Sequence, residues 1–331
     1  MARVLRWLCG TLLGIGLLPA QQASVNGPVA GFTFDLPTRS FRAIAGLLGS
    51  ARLGPAVFDG DGKLDWASVA PGKNYAIAFE GGQCVLVTDL GSDRVSGSSL
   101  PGALREPEGV SWSGDGSAAV FYSLKGNWIQ PVTGLPHASK AGSAVDASHL
   151  DGSLSAVATD THGRRVAIGI AGEAGGVYLI ADGQGFVPLG PLSRPAALAF
   201  SDDGGKLYAL DGAIAGLVEF RLADLTSHTF ALPGMAHPFA VKAGRDGASR
   251  QVVYVASRNE RLFRILDASS HQVIDTVRLN FQPTGIEEFG HGSYLLAHRA
   301  NADDPLWFFA YTAKPGVYFV PDAHASGEGQ K

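Results

Sequence analysis

Short apolar segments alternate with glycine-centred turns along almost the whole chain, and the alternation is regular. In each unit an apolar segment ends in a polar residue, a turn follows, and a second segment rich in Val, Tyr, Ala and Leu begins. The turn glycines follow one another at intervals of 44, 47, 41, 43 and 45 residues and are Gly72, Gly116, Gly163, Gly204, Gly247 and Gly292. Repeats of about 40–45 residues with several short strands are typical of β-propeller blades. The pattern therefore predicts an all-β protein built as a β-propeller of four-stranded blades.

The unit from Pro238 to Arg278 shows the predicted strands most clearly. Its expected strands are Pro238–Ala243, Val252–Ala256, Leu262–Asp267 and Gln272–Arg278. Residues 248–282 contain neither Gly nor Pro and would tolerate a helix, but their β-branched content and short alternations favour strands. The same four-part pattern fits five further stretches, residues 66–105, 107–150, 152–193, 195–236 and 283–321.

Residues 25–65 remain outside these six units. Phe32–Phe34 and Phe41–Ile44 are expected to form a hairpin, and Leu53–Phe58 a further strand. This part forms either an incomplete seventh blade or a segment that extends or closes a six-bladed ring, and we predict seven blades. The expected organisation is one propeller domain over residues 21–321, followed by a loose polar tail over residues 322–331.

A periodic proline marks the beginning of the innermost strands, at positions 107, 195, 238 and 283. A small residue follows two positions later, namely Gly109, Ala197, Ala240 and Gly285. Proline at the first residue of a strand removes no ladder hydrogen bond. We expect small residues here because the innermost strands converge on a central channel, where bulky side chains would be crowded.

The clearest repeats resemble a known family. Phe200–Ala209 is similar to the inner turn and second strand of bacterial YVTN-type and WD-repeat-like propellers, and Val253–Ala256, Leu262–Asp267 and Gln272–Val277 continue that pattern. The Trp-Asp dipeptide and the structural histidine of true WD repeats are absent. The resemblance implies a propeller with a binding or scaffolding role, and it also brings to mind the lactonase-type propeller hydrolases. Fold alone does not decide between these functions.

The first 20 residues have the pattern of a cleaved export signal. Arg3 and Arg6 precede an apolar stretch, Leu8–Leu18, which is too short to span a bilayer, and Leu17–Ala20 offers a cleavage site. Removal of the signal leaves 24 basic and 30 acidic residues, a net charge of −6. This acidic balance argues against nucleic acid as a partner, and no basic run suggests attachment to a membrane surface. We expect a secreted or periplasmic protein.

Catalytic and metal-binding motifs are not found. The nine histidines lack His-x-His and His-Glu-x-x-His spacing, no Gly-x-Ser-x-Gly elbow occurs, and the mature chain keeps a single cysteine, Cys84, which we expect to be buried. His162, His291 and His298 are interpreted as polar residues of turns and strand ends. Asp59–Gly62 and the Asp-Gly pairs are interpreted as turns rather than calcium loops, because the alternating oxygen ligands of a calcium site are missing. No metal and no cofactor are predicted.

The repeat places polar residues at equivalent positions of several blades. The residues before the periodic prolines are Glu106, Arg194, His237 and Gln282, and they differ from blade to blade. Loops between second and third strands should open on the same face and contribute Lys125, Asn127, Glu173, Arg258, Glu260, Arg261, Asn301, Asp303 and Asp304. Mixed charge around a concave channel mouth suits a small polar ligand or a peptide. Polar, variable loops are also what any propeller presents to solvent.

These observations favour a monomeric, exported, non-catalytic binding or interaction module. The ligand-binding hypothesis rests on Glu106, Arg194, His237, Gln282, Arg258 and Arg261, which we call the rim residues. The alternative is a propeller hydrolase of lactonase type with its site at the channel mouth. Such an enzyme requires His, Arg and acidic side chains with shifted pKa values to converge on one face of the ring.

Overall fold

The computed structural model describes residues 27–181, 185–290, 292–311 and 315–323, which form seven antiparallel sheets arranged as a propeller. Blades 1 to 3 contain, in chain order, β1 (Val29–Asp35), β2 (Ser40–Ala45), β3 (Arg52–Phe58), β4 (Leu64–Val69), β5 (Ala76–Glu80), β6 (Gln83–Thr88), β7 (Ser96–Ser99), β8 (Gly109–Trp112), β9 (Ala118–Ser123), β10 (Trp128–Thr133), β11 (Lys140–Ala141) and β12 (Val145–Asp146). Blade 1 has β1–β3, blade 2 has β4–β7, and blade 3 has β8–β12.

Blades 4 to 7 each contain four strands paired in chain order. These strands are β13 (Ser153–Thr159), β14 (Arg165–Ala171), β15 (Gly176–Ala181), β16 (Phe186–Pro191), β17 (Pro195–Phe200), β18 (Lys206–Asp211), β19 (Gly216–Arg221), β20 (Thr226–Ala231), β21 (Pro238–Arg245), β22 (Gln251–Ser257), β23 (Leu262–Asp267), β24 (Val273–Arg278), β25 (Glu287–Gly290), β26 (Ser293–Ala297), β27 (Leu306–Tyr311) and β28 (Pro315–Val320). Two 3₁₀ turns, Leu36–Thr38 and Gly60–Gly62, complete the regular structure of the described residues.

The apolar core lies between the blades. Seven clusters of buried side chains each join two neighbouring sheets, so that every blade packs on both sides. In the cluster that joins blade 7 to blade 1, Leu53 packs with Leu295 and Phe308. A single sheet leaves its apolar faces in water, so the ring must close before every blade is covered.

The predicted fold class and blade number are confirmed, since the protein is an all-β propeller with seven blades. Of the six turn glycines, five have a φ angle between 63° and 76°, a conformation that glycine adopts without the steric cost of a Cβ atom. Gly247 differs, because Ser249 takes the left-handed position of that turn with φ 62°. His291 lies outside the described residues, as does the predicted signal.

Two faces of the ring are distinguished below. The loop face carries the connections between second and third strands, such as residues 124–127 and 258–261, and the connections between successive blades. The turn face carries the connections between first and second strands, such as residues 114–117 and 246–250. In blades 2 to 7 the innermost strand runs from the loop face to the turn face.

Blade 1 is the incomplete blade that residues 25–65 predict, but its first strand has an unexpected direction. Gly31 packs on the ring of Phe289 near the turn-face end of β25, whereas Asp35 lies 3.5 Å from Arg299 in the connection after β26, on the loop face. β1 therefore runs in the opposite direction to β25, as a second strand does. The sheet has three strands among the described residues, and its outer strand β3 forms a parallel bridge between Leu53 and Asp322.

The C-terminal segment joins the two ends of the ring. The Leu53 backbone N–H donates to the Pro321 carbonyl at 2.9 Å, and the Ala323 N–H donates to the Leu53 carbonyl at 3.2 Å. The Asp322 carboxylate contacts two buried guanidinium groups, those of Arg42 and Arg299. The sequence predicts a loose tail from Asp322, but Asp322 and Ala323 are held against blade 1. Residues 324–331 lie outside the described residues.

Candidate functional site

The six rim residues all lie on the loop face, and their side chains are exposed. His237 and Glu260 approach to 3.3 Å between Nδ1 and Oε1. The Arg258 guanidinium lies 4.6 Å from the centre of the Phe239 ring, and its Nε donates to the Pro283 carbonyl at 3.4 Å. Rim residues of blade 6 are thus brought into contact with the beginning of blade 7.

The remaining rim residues are held through local contacts. The Glu106 N–H donates to the Gly82 carbonyl at 3.3 Å, and the Arg194 carbonyl accepts from the Gly212 N–H at 2.9 Å. The Arg261 carbonyl accepts a bond from the Leu279 N–H, also within this face. These backbone contacts fix the loops and leave the side chains of the rim available to a partner.

The innermost strands surround a central channel with a volume of about 520 Å³. None of the six rim residues is among the described residues that line this channel. The polar groups at its loop-face mouth are instead Glu108, Tyr122, Glu287 and His298, which we call the mouth cluster. Blade 3 supplies Glu108 and Tyr122, and blade 7 supplies the other two, so the cluster joins two separate parts of the ring.

The position of Tyr122 depends on a small residue in the innermost strand. Gly109 pairs with Tyr122 in the sheet, and a Cβ atom on Gly109 would lie 2.3 Å from the phenol ring. Any larger residue at 109 would therefore displace the ring. The small residue that follows the periodic proline is expected from crowding in the channel, and here the crowding comes from an aromatic side chain of the same blade.

Glu108 is oriented by the backbone of the neighbouring loop. Its Oε2 accepts hydrogen bonds from the N–H groups of Leu124 at 2.8 Å and Lys125 at 3.2 Å. The Lys125 ammonium lies 3.7 Å from Oε1, but its side chain is 92% exposed. An ion pair that is so open to solvent is weak. Lys125 therefore offsets little of the negative charge that Glu108 places at the mouth.

Glu287 and His298 form an ion pair across blade 7, with 2.8 Å between Oε1 and Nε2. The charge of Glu287 is the main cause that raises the pKa of His298, against the opposing effect of burial. Burial acts to raise the pKa of Glu287, but the charge of His298 and its hydrogen bond outweigh it, so the pKa is lowered. The Glu287 side chain is 57% exposed to the channel, so the pair remains accessible to a ligand.

The pKa of Tyr122 is affected by the negative charge at the mouth. Burial is the main cause that raises its pKa, and the carboxylates of Glu287 and Glu108 add to the effect in that order. Both carboxylates therefore act on one phenol, although they belong to different blades. A negative potential at this point favours cations over anions.

Deeper in the channel, the charged groups are paired with each other. The Lys242 ammonium lies 3.0 Å from the Glu288 carboxylate, which joins the innermost strands of blades 6 and 7. On the turn face, Asp202 lies 3.1 Å from Arg245. Among the described carboxylates that line the channel, Glu108 has the ion-pair partner that is most exposed to solvent, Lys125.

Aromatic rings form much of the wall beside the mouth cluster. Trp66 lines the channel and stacks on Phe79 with 5.4 Å between ring centres. Phe34 also lines the channel, and its ring meets that of Phe41 edge to face at 5.6 Å. Trp66 also packs against the apolar cluster between blades 2 and 3. The mouth thus combines carboxylates with aromatic surface.

Other candidate groups have structural contacts. His162 lies in a turn, and its Nδ1 is 2.9 Å from Asp115 of the preceding blade. In the turn formed by Gly60–Gly62, the Asp59 carboxylate accepts from the Asp61 N–H at 3.0 Å. Cys84 is buried, and burial raises the pKa of its thiol to about 12.

Within the described part of the chain, no group of three or more His, Cys, Asp and Glu side chains is arranged to hold a metal ion. No helix among the same residues has the length and apolar character needed to cross a bilayer.

Sequence reasoning missed the mouth cluster. It interpreted His298 as a polar residue of a strand end, yet the structure places this side chain in the channel. The two glutamates could have been found, because Glu108 and Glu287 follow the periodic prolines by one and four positions. Tyr122 could not, since only the register of β8 and β9 shows that it lies over Gly109.

Comparisons with known proteins identify the fold. No family model matches the sequence, and no curated protein is similar to it. Among solved structures 1336 chains match. One is a chain in the crystal structure of a nidogen–laminin complex, with 13% identity and a TM-score of 0.50 over 77% of this chain and 95% of that one. At this identity the likeness shows the propeller fold alone.

Proposed function

We propose that this protein is an exported, non-catalytic binding module that holds a partner protein on the loop face of its propeller. The observation that carries the proposal is the set of rim residues, which are exposed, chemically different from blade to blade, and located in connections on the loop face. A surface of this kind provides specific contacts around a central recess.

Three further observations support the proposal. The N-terminal sequence has the pattern of an export signal. The strands of blade 6 resemble those of YVTN-type propellers, to which we assign the chain. One of the matching solved structures comes from a nidogen–laminin complex, an assembly of proteins. We further propose that the protein is a monomer, because its seven interblade clusters bury the apolar faces without a second copy.

The test uses a rim variant and a matched control. The tagged mature protein captures partners from envelope extract, and the affinity for the captured partner is then measured with the double variant Arg194→Ala/His237→Ala. We expect at least about a tenfold loss, since truncation of a hot-spot residue in an interface costs about 2 kcal/mol or more, and about 1.4 kcal/mol corresponds to tenfold. Arg164→Ala, an exposed arginine on the turn face, serves as the control and should change the affinity less than twofold. Equal affinities for the double variant and the wild type would overturn the proposal.

A hydrolase of lactonase type is the second candidate, and the ion pair of Glu287 and His298 favours it. A carboxylate that orients an imidazole is a common arrangement for a general base. The decisive assay measures hydrolysis of a panel of lactones and esters by the wild type, Glu287→Gln and His298→Ala. Turnover that both variants abolish would support the hydrolase and contradict a non-catalytic module, whereas rates equal to those in buffer would support the binding module.

A further inference from the structure

We infer that the mouth cluster, together with the aromatic wall beside it, is a binding site for an organic ammonium group. This inference rests on the proposed function and deepens it, because it names the chemical group that the channel mouth accepts. The group is either a small free amine or the lysine side chain of a partner. These sources share one chemistry, and the experiment below separates them.

The sign of the charge is the first argument. Glu108, Glu287 and Tyr122 line the channel together at its loop-face end, and both carboxylates act to raise the pKa of the Tyr122 phenol. Of the cations nearby, His298 is paired with Glu287, and the ammonium of Lys125 is almost fully in solvent. Glu108 therefore lacks a buried counter-charge among the described residues. A cationic ligand would supply it.

The composition of the wall is the second argument. Trp66, Phe34 and Tyr122 line the same channel as the carboxylates. An alkylammonium ion is attracted to the faces of aromatic rings and at the same time covers apolar surface with its carbon atoms. A small inorganic cation would gain nothing from these rings and would need several oxygen ligands. The wall thus favours an organic cation.

Orientation of the carboxylate is the third argument. Two backbone N–H groups bind Oε2 of Glu108 and hold the side chain in place. Among the described residues, the charged group nearest to Oε1 is the exposed Lys125 ammonium at 3.7 Å. A fixed acceptor reduces the entropy that is lost when a ligand binds.

The experiment compares ligands of equal shape and different charge. Choline and its uncharged isostere 3,3-dimethyl-1-butanol are titrated into the protein at low salt by isothermal titration calorimetry. Nα-acetyl-lysine-N-methylamide and its Nε-acetylated form provide the second pair. We expect each cation to bind at least about tenfold more tightly than its neutral counterpart, because a cation–π contact attracts both cations and the ammonium of the lysine derivative can also donate a charge-assisted hydrogen bond.

Two matched variants locate the site. Glu108→Gln keeps an oxygen for the backbone N–H groups but removes the charge, and should weaken binding of the cations at least about tenfold. Glu80→Gln removes a partly exposed carboxylate at the loop-face end of blade 2 that does not line the channel, and should leave binding within twofold. Tyr122→Phe, which keeps the ring over Gly109, tests the fold of the mouth and should retain most of the affinity.

The outcomes separate the possibilities. Binding of choline and the lysine derivative supports a site for free amines as well as side chains, while binding of the lysine derivative alone supports a side chain of a partner. Equal binding of a cation and its isostere, no binding by either cation, or equal effects of the two glutamate variants would overturn the inference. If the wild type binds neither cation but still captures a partner, the inference fails and the proposed function stands. The reverse result, in which cations bind but the rim double variant captures its partner normally, would overturn the proposed function alone.

Discussion

Removal of the Asp322 carboxylate should lower the free energy of unfolding substantially. Its carboxylate accepts from Nη1 and Nη2 of Arg42 at 2.7 and 2.8 Å, and from Nη1 of Arg299 at 2.7 Å. Arg42 and Arg299 are only 4% and 2% exposed. Burial acts against the charged form of Arg42, but the bonds to Asp322 and then Asp35 outweigh it and raise its pKa. One carboxylate thus holds two buried cations between blades 7 and 1.

The magnitude follows from what Asp322→Ala leaves behind. Removing one partner of a buried ion pair commonly costs about 3–5 kcal/mol, because the other charge stays buried. Asp35 remains at 3.3 Å from Arg42 and 3.5 Å from Arg299, and the Asp322 side chain is 12% exposed, so water can enter. These contacts place the expected loss at the lower end, about 3 kcal/mol. Asp322→Asn, which keeps one oxygen acceptor, should lose about half as much.

The assay is unfolding in guanidinium chloride, followed by tryptophan fluorescence and by circular dichroism. Asp303→Ala, a change at an exposed carboxylate in the same part of blade 7, is the control and should stay within about 0.5 kcal/mol of the wild type. A loss of less than about 1 kcal/mol for Asp322→Ala would refute the reasoning, since it would mean that Arg42 and Arg299 do not depend on this carboxylate.

Three further predictions test the fold and the site. Gly163→Ala should destabilise the protein by about 2–4 kcal/mol, because φ is 69° and the new Cβ would lie 2.3 Å from a side chain of the preceding blade. Gly62→Ala is the control in the same unfolding assay. Its φ is 76° but the space around it is open, so it should cost only about 1 kcal/mol. His298 should titrate above the ordinary histidine pKa in an NMR titration, and Glu287→Gln should lower that pKa. The stability that the charged pair contributes should therefore be complete between about pH 4.3 and about pH 6.5, the ordinary pKa values of glutamate and histidine, and should fall as the pH rises through the raised pKa of His298. Cys84 should not react with a thiol reagent at pH 8 in the native mature protein, and reaction before unfolding would show that its burial is wrong.

Much of the fold could be predicted because the information is periodic. The strands expected between Pro238 and Arg278 match β21 to β24 to within two residues at each end. Turn glycines and alternating apolar residues act locally, so the sequence shows them directly. Even the hairpin of β1 and β2 could be located from its two phenylalanine-containing segments.

The direction of β1 could not be predicted, because it is set by contacts with distant parts of the chain. Gly31 packs on Phe289, and Asp35 lies by Arg299, more than 250 residues later in the chain. The sequence pattern of β1 is that of a strand in either direction. The role of Asp322 was missed for the same reason, since a polar residue near the end of a chain gives no sign of two buried arginines elsewhere.

The mouth cluster was also beyond sequence reasoning, and here side-chain direction is the cause. Glu106 and Glu108 are two residues apart on either side of Pro107, and the period places both near the channel. The structure directs Glu106 towards Gly82 and places Glu108 in the channel wall. Which of two nearby carboxylates faces the channel depends on the positive φ of Glu106, 55°, and on the loop that binds Glu108.

Amide hydrogen exchange, measured for the protein alone and with its captured partner, is the clearest test of binding on the loop face. We expect slower exchange on binding in the loop-face segments, including residues 106–108, 258–261 and 282–287, and no change in the turn-face segments 114–117 and 246–250. Protection confined to the turn-face segments, or unchanged exchange throughout the loop face in the complex, would contradict it.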